Sequence, residues 1–275
     1  EKTHRTQSAR QRFAIWYGTG RTAPEARALV LSGDAGTGKT AILRAFVEDV
    51  GGYKGKAVYV EVPAKCTIKN LAQAILKATG DPCASKGVLS SLEGRLMERM
   101  TELGYTVLIL DEAQHLVKSD NLKVLTDVAD WLKARLNQWN LPMVISGVDR
   151  IEVLFEVDEQ IYRRGGGHIK LEPYRIADKV DRNDMKLVLC KIDDLLPFRR
   201  KASLHSGEMA KNLFIACDGN LGRLTKLIEI AAGLSILKES DVLCVEALSD
   251  AFEECRRKSE AKNVNPFKEG ARTNA

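Results

Sequence analysis

Short apolar runs alternate with segments of helical spacing in the first part of the chain. Five of the runs have the length of a buried β-strand, and they cover residues 28–32, 57–62, 105–112, 141–146 and 168–172. Between them, apolar residues recur at the intervals of one helix face in residues 41–50, 67–77, 89–103 and 122–140. Because such strands and helices alternate, the pattern predicts a parallel sheet with helices packed on its faces.

No further strand is predicted after Pro173, where four segments with helical spacing follow one another. These segments cover residues 178–195, 206–217, 221–236 and 240–259. A further helix is expected at residues 8–17, within a basic N-terminal segment. We therefore divide the chain into an N-terminal segment (1–27), an α/β core (28–175), a helical subdomain (176–259) and a disordered tail (260–275).

Composition and charge place few limits on function. The 275 residues are 44% hydrophobic and 29% charged, which is typical of a soluble globular protein with an ample core. No apolar run approaches the roughly 20 residues that span a bilayer, and the polar N-terminus does not resemble a signal peptide, so we expect a cytoplasmic protein. The six cysteines include no CxxC pair, which favours free thiols. The net charge of +5 permits a polyanionic partner without requiring one.

The strongest chemical signal is the segment 33–40, which reads G-x-x-x-x-G-K-T. It lies between a predicted strand and a predicted helix, as the Walker A loop of nucleotide hydrolases does. Backbone N–H groups of such a loop, with the positive end of the following helix, cradle phosphate oxygens. We expect Lys39 to reach the β- and γ-phosphates of ATP and Thr40 to hold Mg²⁺. The predicted nucleotide-binding residues of the loop are Gly33, Asp34, Ala35, Gly36, Thr37, Gly38, Lys39, Thr40 and Ala41.

The third predicted strand ends in a second signal, Asp111 followed by Glu112. Four apolar residues followed by Asp-Glu form a Walker B pattern, which is weak alone but strong after a Walker A loop. Asp111 would hold the water shell of Mg²⁺, and Glu112 would polarise the water that attacks the γ-phosphate. Upstream of the first strand, Trp16 and Tyr17 would either stack on the adenine or pack in the core.

The order of these features resembles that of the AAA+ ATPases over about residues 28 to 258. The resemblance implies a five-stranded parallel sheet in the order 5-1-4-3-2, followed by a C-terminal helical lid over the nucleotide. Within this superfamily the chain is similar to transposition regulators of the TnsC and TniB type, and more distantly to MuB. Both Walker motifs are shared by the whole superfamily. The resemblance rests on residues 33–40 and 107–116, which contain these motifs, and three further stretches narrow it to the regulators: 142–150, 158–164 and 219–224.

The resemblance gives roles to three arginines. Arg163 and Arg164 lie in the stretch similar to the arginine-finger segment of the family, and we favour Arg164 as the residue that reaches the γ-phosphate of a neighbouring subunit. Three glycines follow these arginines where the family often has Phe, so either arginine could act, or both could be solvated at a helix end. Arg223 would contact the γ-phosphate from the lid, unless it is a surface arginine.

The sensor strand departs from the pattern of the family. That strand usually ends in Gly-Thr, whereas Gly147 is followed here by Val148. The sensor role therefore falls to Ser146 or Asp149, or the sensor is weak. We place Ser146 in the nucleotide-binding set.

Two lysines are candidates for contact with DNA. Lys65 and Lys69 flank Thr67, a good N-cap for the helix that follows the second strand. Phosphate oxygens bind well at a helix N-terminus with lysines beside it, although lysines at such positions are most often solvated. In the regulator family the corresponding surface lines a central channel and follows the DNA backbone. The resemblance therefore implies contacts to double-stranded DNA that are independent of sequence.

The function that follows is an ATP-dependent regulator of DNA transposition. ATP would assemble subunits head to tail into a ring or a helical filament on duplex target DNA. The assembly would recruit or activate a transposase together with a target-selection protein, with no membrane partner. Hydrolysis would be slow and stimulated by oligomerisation, DNA or a partner. The alternatives are an AAA+ ATPase that acts on a protein substrate, such as a helicase loader or a secretion-type ATPase, and a nucleotide-gated scaffold with negligible turnover.

Overall fold

Five parallel strands form a sheet in the residues that the computed structural model describes, which are 3–23, 25–64, 66–117, 122–154, 165–256 and 264–268. The strands are β1 (Ala28–Ser32), β2 (Ala57–Glu61), β3 (Val107–Asp111), β4 (Met143–Gly147) and β5 (Gly165–Lys170). Their order is β2-β3-β4-β1-β5, and each neighbouring pair is parallel. Read from the other edge, this is the order 5-1-4-3-2, so the predicted fold class and strand order are confirmed.

The edge strand β5 differs from its predicted bounds. We expected residues 168–172, but the strand begins at Gly165, which pairs with Ala28, and ends at Lys170, which pairs with Ser32. Glycine has a low preference for strands, so the three glycines gave no reason to extend the prediction. The backbone ladder to β1 extends the strand instead. Because neighbouring strands are parallel, β1, β3, β4 and β5 all end at the same edge of the sheet.

Helices cover both faces of this sheet. The helices of this part of the chain are α1 (His4–Thr22), α2 (Lys39–Gly52), α3 (Ile68–Ala78), α4 (Leu89–Glu102) and α5 (Leu122–Trp139). Alternate strand residues serve opposite faces: Leu29 lies in a buried cluster with α1 and α2, and Val30 lies in a cluster with α3, α4 and α5. The sheet is therefore the middle of three layers.

Trp16 and Tyr17 belong to this core. Their side chains are 3% and 1% exposed, respectively. The Tyr17 ring meets the Phe46 ring edge to face with a centroid distance of 5.8 Å, and its hydroxyl lies 2.6 Å from Thr106 Oγ1. This burial favours the core interpretation of the two aromatic residues over stacking on an adenine.

A second compact unit comprises residues 172–275 together with the first seven residues. Its helices are α6 (Lys179–Leu195), α7 (Gly207–Cys217), α8 (Leu221–Leu237) and α9 (Val245–Cys255). They surround their own buried cluster, which includes Leu189, Phe214 and Leu248. The buried Asp184 carboxylate of α6 accepts the N–H groups of His4 and Arg5 over 2.7 and 2.8 Å, so it satisfies donors of the first turn of α1.

The segment Val264–Lys268 packs on this helical unit, although we expected residues 260–275 to be disordered. Phe267 is 8% exposed and lies against Phe252 of α9, with a ring centroid distance of 6.4 Å. Asn265 is 3% exposed and bonds to the backbone and side chain of Ser249. The expectation of disorder is therefore corrected for these five residues. Among the described residues, no helix has the length and apolar content needed to cross a membrane.

Candidate nucleotide-binding site

The loop between β1 and α2 has the conformation of a phosphate-binding turn. Gly33 lies directly beneath the backbone carbonyl of Leu171, so a β-carbon at this position would collide with it. Gly38 has a φ of 98° and no side chain, and α2 begins at the next residue. Glycine adopts this left-handed conformation without the steric cost of a side chain. The loop therefore presents the backbone N–H groups at the start of α2, which is a favourable position for an anion.

Lys39 extends its side chain back over this loop. Its Nζ atom donates to the carbonyls of Gly33 and Asp34 over 2.7 and 2.8 Å, and the residue is 6% exposed. Burial lowers the pKa of Lys39, and the nearby carboxylates of Glu112 and Asp111 oppose that effect. An ammonium group that donates to neutral carbonyls can exchange them for phosphate oxygens.

The Walker A and Walker B motifs meet at Asp111, which is 1% exposed at the end of β3. Thr40 Oγ1 donates to Asp111 Oδ2 over 2.7 Å. The other carboxylate oxygen accepts the Ser146 hydroxyl over 3.0 Å and the Glu112 N–H over 2.9 Å. Hydroxyl and carboxylate oxygens are hard ligands of the kind that Mg²⁺ prefers, so Thr40 and Asp111 fit the predicted metal site.

Tyr59 of β2 is a member of this site that the sequence did not reveal. Its hydroxyl donates to Asp111 Oδ2 over 2.7 Å, the same oxygen that accepts from Thr40. Burial, followed by the hydrogen bond to Asp111, raises the pKa of Tyr59, so the phenol remains a donor. The alternation of residues along β2 indicates which face of the sheet Tyr59 lies on. It does not indicate that the Tyr59 hydroxyl reaches the Asp111 carboxylate.

Glu112 follows Asp111 with an unusual backbone conformation. Its φ is 56°, in the left-handed region that a residue with a side chain rarely adopts. The Glu112 carboxylate accepts a hydrogen bond from Gln114 Nε2, and Gln114 Oε1 accepts the Val148 N–H over 3.3 Å. The backbone and Gln114 together fix the direction of the Glu112 side chain. Gln114 is a second residue of the site to which the sequence gave no role.

The two sensor candidates are both engaged by other protein groups. Ser146 is fully buried and donates to Asp111. Asp149 forms an ion pair with Lys170 of β5 at 2.5 Å. Beside them, the Ser32 hydroxyl lies 2.7 Å from His168 Nε2 and donates to Glu152 Oε1 over 3.0 Å. Ser146 is thus placed to act on the Walker B carboxylate.

The remaining predicted site residues lie elsewhere or outside the described part of the chain. Lys65, Arg163 and Arg164 fall outside the described residues. Lys69 is exposed in the first turn of α3, where the Thr67 hydroxyl accepts the Asn70 N–H over 3.2 Å and caps the helix as predicted. Arg223 lies in the first turn of α8 in the helical unit, where the Asn220 side chain accepts its N–H over 3.1 Å.

Comparison with known proteins shows which domains and structures the chain is similar to. Residues 23–155 match the family model described as "AAA domain". Comparison with curated proteins gives no significant match. Among solved structures, the chain is similar to the ORC2 protein of Aeropyrum pernix in its ADPNP-ADP complexes, with a TM-score of 0.68 and 15% identity over 96% of this chain and 72% of that one.

Two further structures have the same fold. The ORC1 protein of Aeropyrum pernix in complex with DNA gives a TM-score of 0.67 and 18% identity over 92% of this chain and 66% of that one. The RuvB Holliday junction branch migration motor of Thermotoga maritima gives 0.53 and 13%, over 90% and 68%. At these identities a likeness establishes the fold alone. Residues 23–155 are thus similar to an AAA domain, and the chain shares the α/β fold of these structures. The closer resemblance to TnsC and TniB stays a prediction.

Proposed function

We propose that this chain binds ATP with Mg²⁺ at the P-loop and hydrolyses it. The observation that carries the proposal is the 2.7 Å hydrogen bond from Thr40 to Asp111, which joins the Walker A and Walker B motifs. Thr40 and Asp111 would hold the metal ion, and the ion would neutralise charge on the phosphates.

The other residues of the site have roles that follow from their chemistry. The Lys39 ammonium would leave the carbonyls of Gly33 and Asp34 and donate to phosphate oxygens. Glu112 would accept a proton from the attacking water as a general base. Ser146 would keep Asp111 oriented through its 3.0 Å hydrogen bond.

We further propose that arginines from outside the core complete the nucleotide-binding site. Arg223 of the helical unit would contact the γ-phosphate of the same chain, and Arg164, or else Arg163, would reach the γ-phosphate of a neighbour. The support for these roles is the resemblance of their sequence stretches to those of the TnsC and TniB regulators. A finger in trans requires subunits that assemble head to tail, since each site then lies at a subunit boundary.

The partner we propose is duplex DNA, and the process is transposition. The similar ORC1 structure is a complex with DNA, and Lys69 lies exposed at a capped helix N-terminus, where a phosphate would meet both charge and N–H groups. Lys65 would join it. The proposal of transposase recruitment depends on the sequence resemblance alone.

Electron microscopy of the chain with a non-hydrolysable ATP analogue and duplex DNA tests the assembly. We expect rings or helical filaments around the DNA that are lost without nucleotide and lost in Lys39→Ala. Monomers under all conditions would contradict head-to-tail assembly. Assembly that duplex DNA neither orders nor stimulates would instead favour an AAA+ ATPase with a protein substrate.

A further inference from the structure

A bridge of hydrogen bonds connects Glu112 to the end of the neighbouring strand β4. Gln114 lies in the short 3-10 turn Ala113–His115 that follows β3. Its side-chain amide donates from Nε2 to Glu112 Oε2, and its carbonyl oxygen accepts the Val148 N–H over 3.3 Å. The Gln114 side chain therefore donates to the Glu112 carboxylate and accepts from the backbone that follows β4, at the carboxyl edge of the sheet.

The bridge has space only because residue 147 is glycine. A β-carbon on Gly147 would come within 2.5 Å of Gln114 Oε1, 2.7 Å of Ile151 Cγ2 and 3.1 Å of the Gln114 backbone nitrogen. A real side chain does not tolerate contacts of that length with polar backbone and amide atoms, so a larger residue would push Gln114 away. The last residue of β4 is thus fitted to the Gln114 side chain.

Glu112 follows the last residue of β3, and the 3-10 turn Ala113–His115 begins at the next residue. The left-handed backbone of Glu112, with φ of 56°, is an unfavourable conformation that needs support from surrounding contacts.

We infer that Gln114 is a positioning residue that holds Glu112 in its productive direction and links it to the end of the sensor strand. The inference rests on the proposed hydrolysis of ATP. Val148 offers only its backbone N–H to this link, because its side chain is apolar. Gln114 thus joins the backbone that follows β4 to the side-chain carboxylate of Glu112.

The test compares three substitutions at Gln114 and beside it. Gln114→Leu keeps the size and removes both hydrogen bonds. Gln114→Glu keeps an acceptor for Val148 but places a second carboxylate against Glu112. Gly147→Ala keeps Gln114 but crowds its side chain, together with that of Ile151. Gln73→Leu is the matched control, since Gln73 is a half-buried glutamine of α3 that donates one hydrogen bond to the Ser85 carbonyl over 2.9 Å.

For each variant we would measure the turnover number for ATP, the affinity for a fluorescent ATP analogue and the thermal unfolding midpoint. We expect Gln114→Leu and Gln114→Glu to lower the turnover number roughly 10- to 100-fold, because a misplaced general base costs about that much, with nucleotide affinity unchanged within about twofold. Gly147→Ala should act in the same direction, and Gln73→Leu should not. In the Glu112→Gln background, Gln114→Leu should cause no further loss, because it acts through Glu112.

Three results would overturn the inference. They are a turnover number unchanged or raised in both Gln114 variants, a parallel loss of nucleotide affinity, and an equal loss in the Glu112→Gln background. Wild-type protein without turnover would refute the proposed function, and this inference with it. The wild-type measurement distinguishes that outcome from a failure specific to Gln114.

Discussion

Tyr59 donates a hydrogen bond to Asp111 Oδ2 over 2.7 Å, and Thr40 donates to the same oxygen over the same distance. A hydroxyl that binds a metal ion is no longer available to orient the carboxylate. Tyr59 comes from a different strand and would remain in place, so it can keep Asp111 oriented with or without a bound metal ion. The Walker B aspartate is therefore supported by the edge strand β2 as well as by its own neighbours.

Removing this phenol should weaken the metal site. We expect Tyr59→Phe to raise the Mg²⁺ concentration needed for half-maximal binding of a fluorescent ATP analogue roughly 10- to 100-fold, since a hydrogen bond to a charged group contributes about 1.5–3 kcal/mol. Tyr17→Phe is the control, because it removes a buried phenol that lies 2.6 Å from Thr106 Oγ1. An unchanged Mg²⁺ requirement in Tyr59→Phe would show that Asp111 does not depend on Tyr59.

The stability of the helical unit should depend on Asn265. Its amide donates to the Ser249 carbonyl over 3.1 Å and to Glu253 over 3.0 Å, and its carbonyl oxygen accepts the Phe267 N–H over 3.0 Å. Asn265→Ala should lower the free energy of unfolding by about 1–3 kcal/mol, because the buried Phe267 N–H loses its acceptor. Denaturant titration measures this.

The control for Asn265 is Lys268→Ala. Lys268 forms an ion pair with Glu253 at 2.9 Å, but its side chain is 62% exposed, so the loss of stability should be much smaller. Equal losses in the two variants would mean that the segment Val264–Lys268 is held by charge and not by the buried amide.

Lys69 gives a prediction about DNA. If it contacts a phosphate, Lys69→Ala should weaken binding to duplexes of any sequence equally and reduce the salt slope of log affinity by about 1. Fluorescence anisotropy at several salt concentrations measures both quantities. Lys77→Ala, at an exposed lysine near the other end of α3, is the control. A sequence-dependent loss, or none, would place the DNA elsewhere.

The parts of the fold that were predictable are those in which local pattern decides the structure. The strand β1, the loop 33–40 and the Thr67 cap depend on neighbouring residues and on hydrophobic spacing, so the sequence contains the information. The glycines at the start of β5 form a strand only because β1 offers a backbone ladder. Composition also misled the prediction for residues 264–268, because a single buried amide and one aromatic ring hold that polar segment.

The site was predictable in its motifs and not in its supporting contacts. Asp111 and Glu112 follow from a pattern of consecutive residues. Tyr59 and Gln114 act because the register of β2 with β3 and the turn after β3 bring their side chains to those carboxylates. Tertiary packing sets the direction of these two side chains, and a single sequence does not reveal that packing.

The most direct test of the account is the turnover number for ATP of Glu112→Gln relative to wild type, with both proteins saturated with ATP and Mg²⁺. We predict a fall of roughly 100-fold or more, because a general base contributes about 10²- to 10⁴-fold to the rate, with the affinity for ATP unchanged within about twofold. Equal turnover in the two proteins, or no turnover by wild type with or without duplex DNA, would contradict the assignment of this site as an ATPase centre.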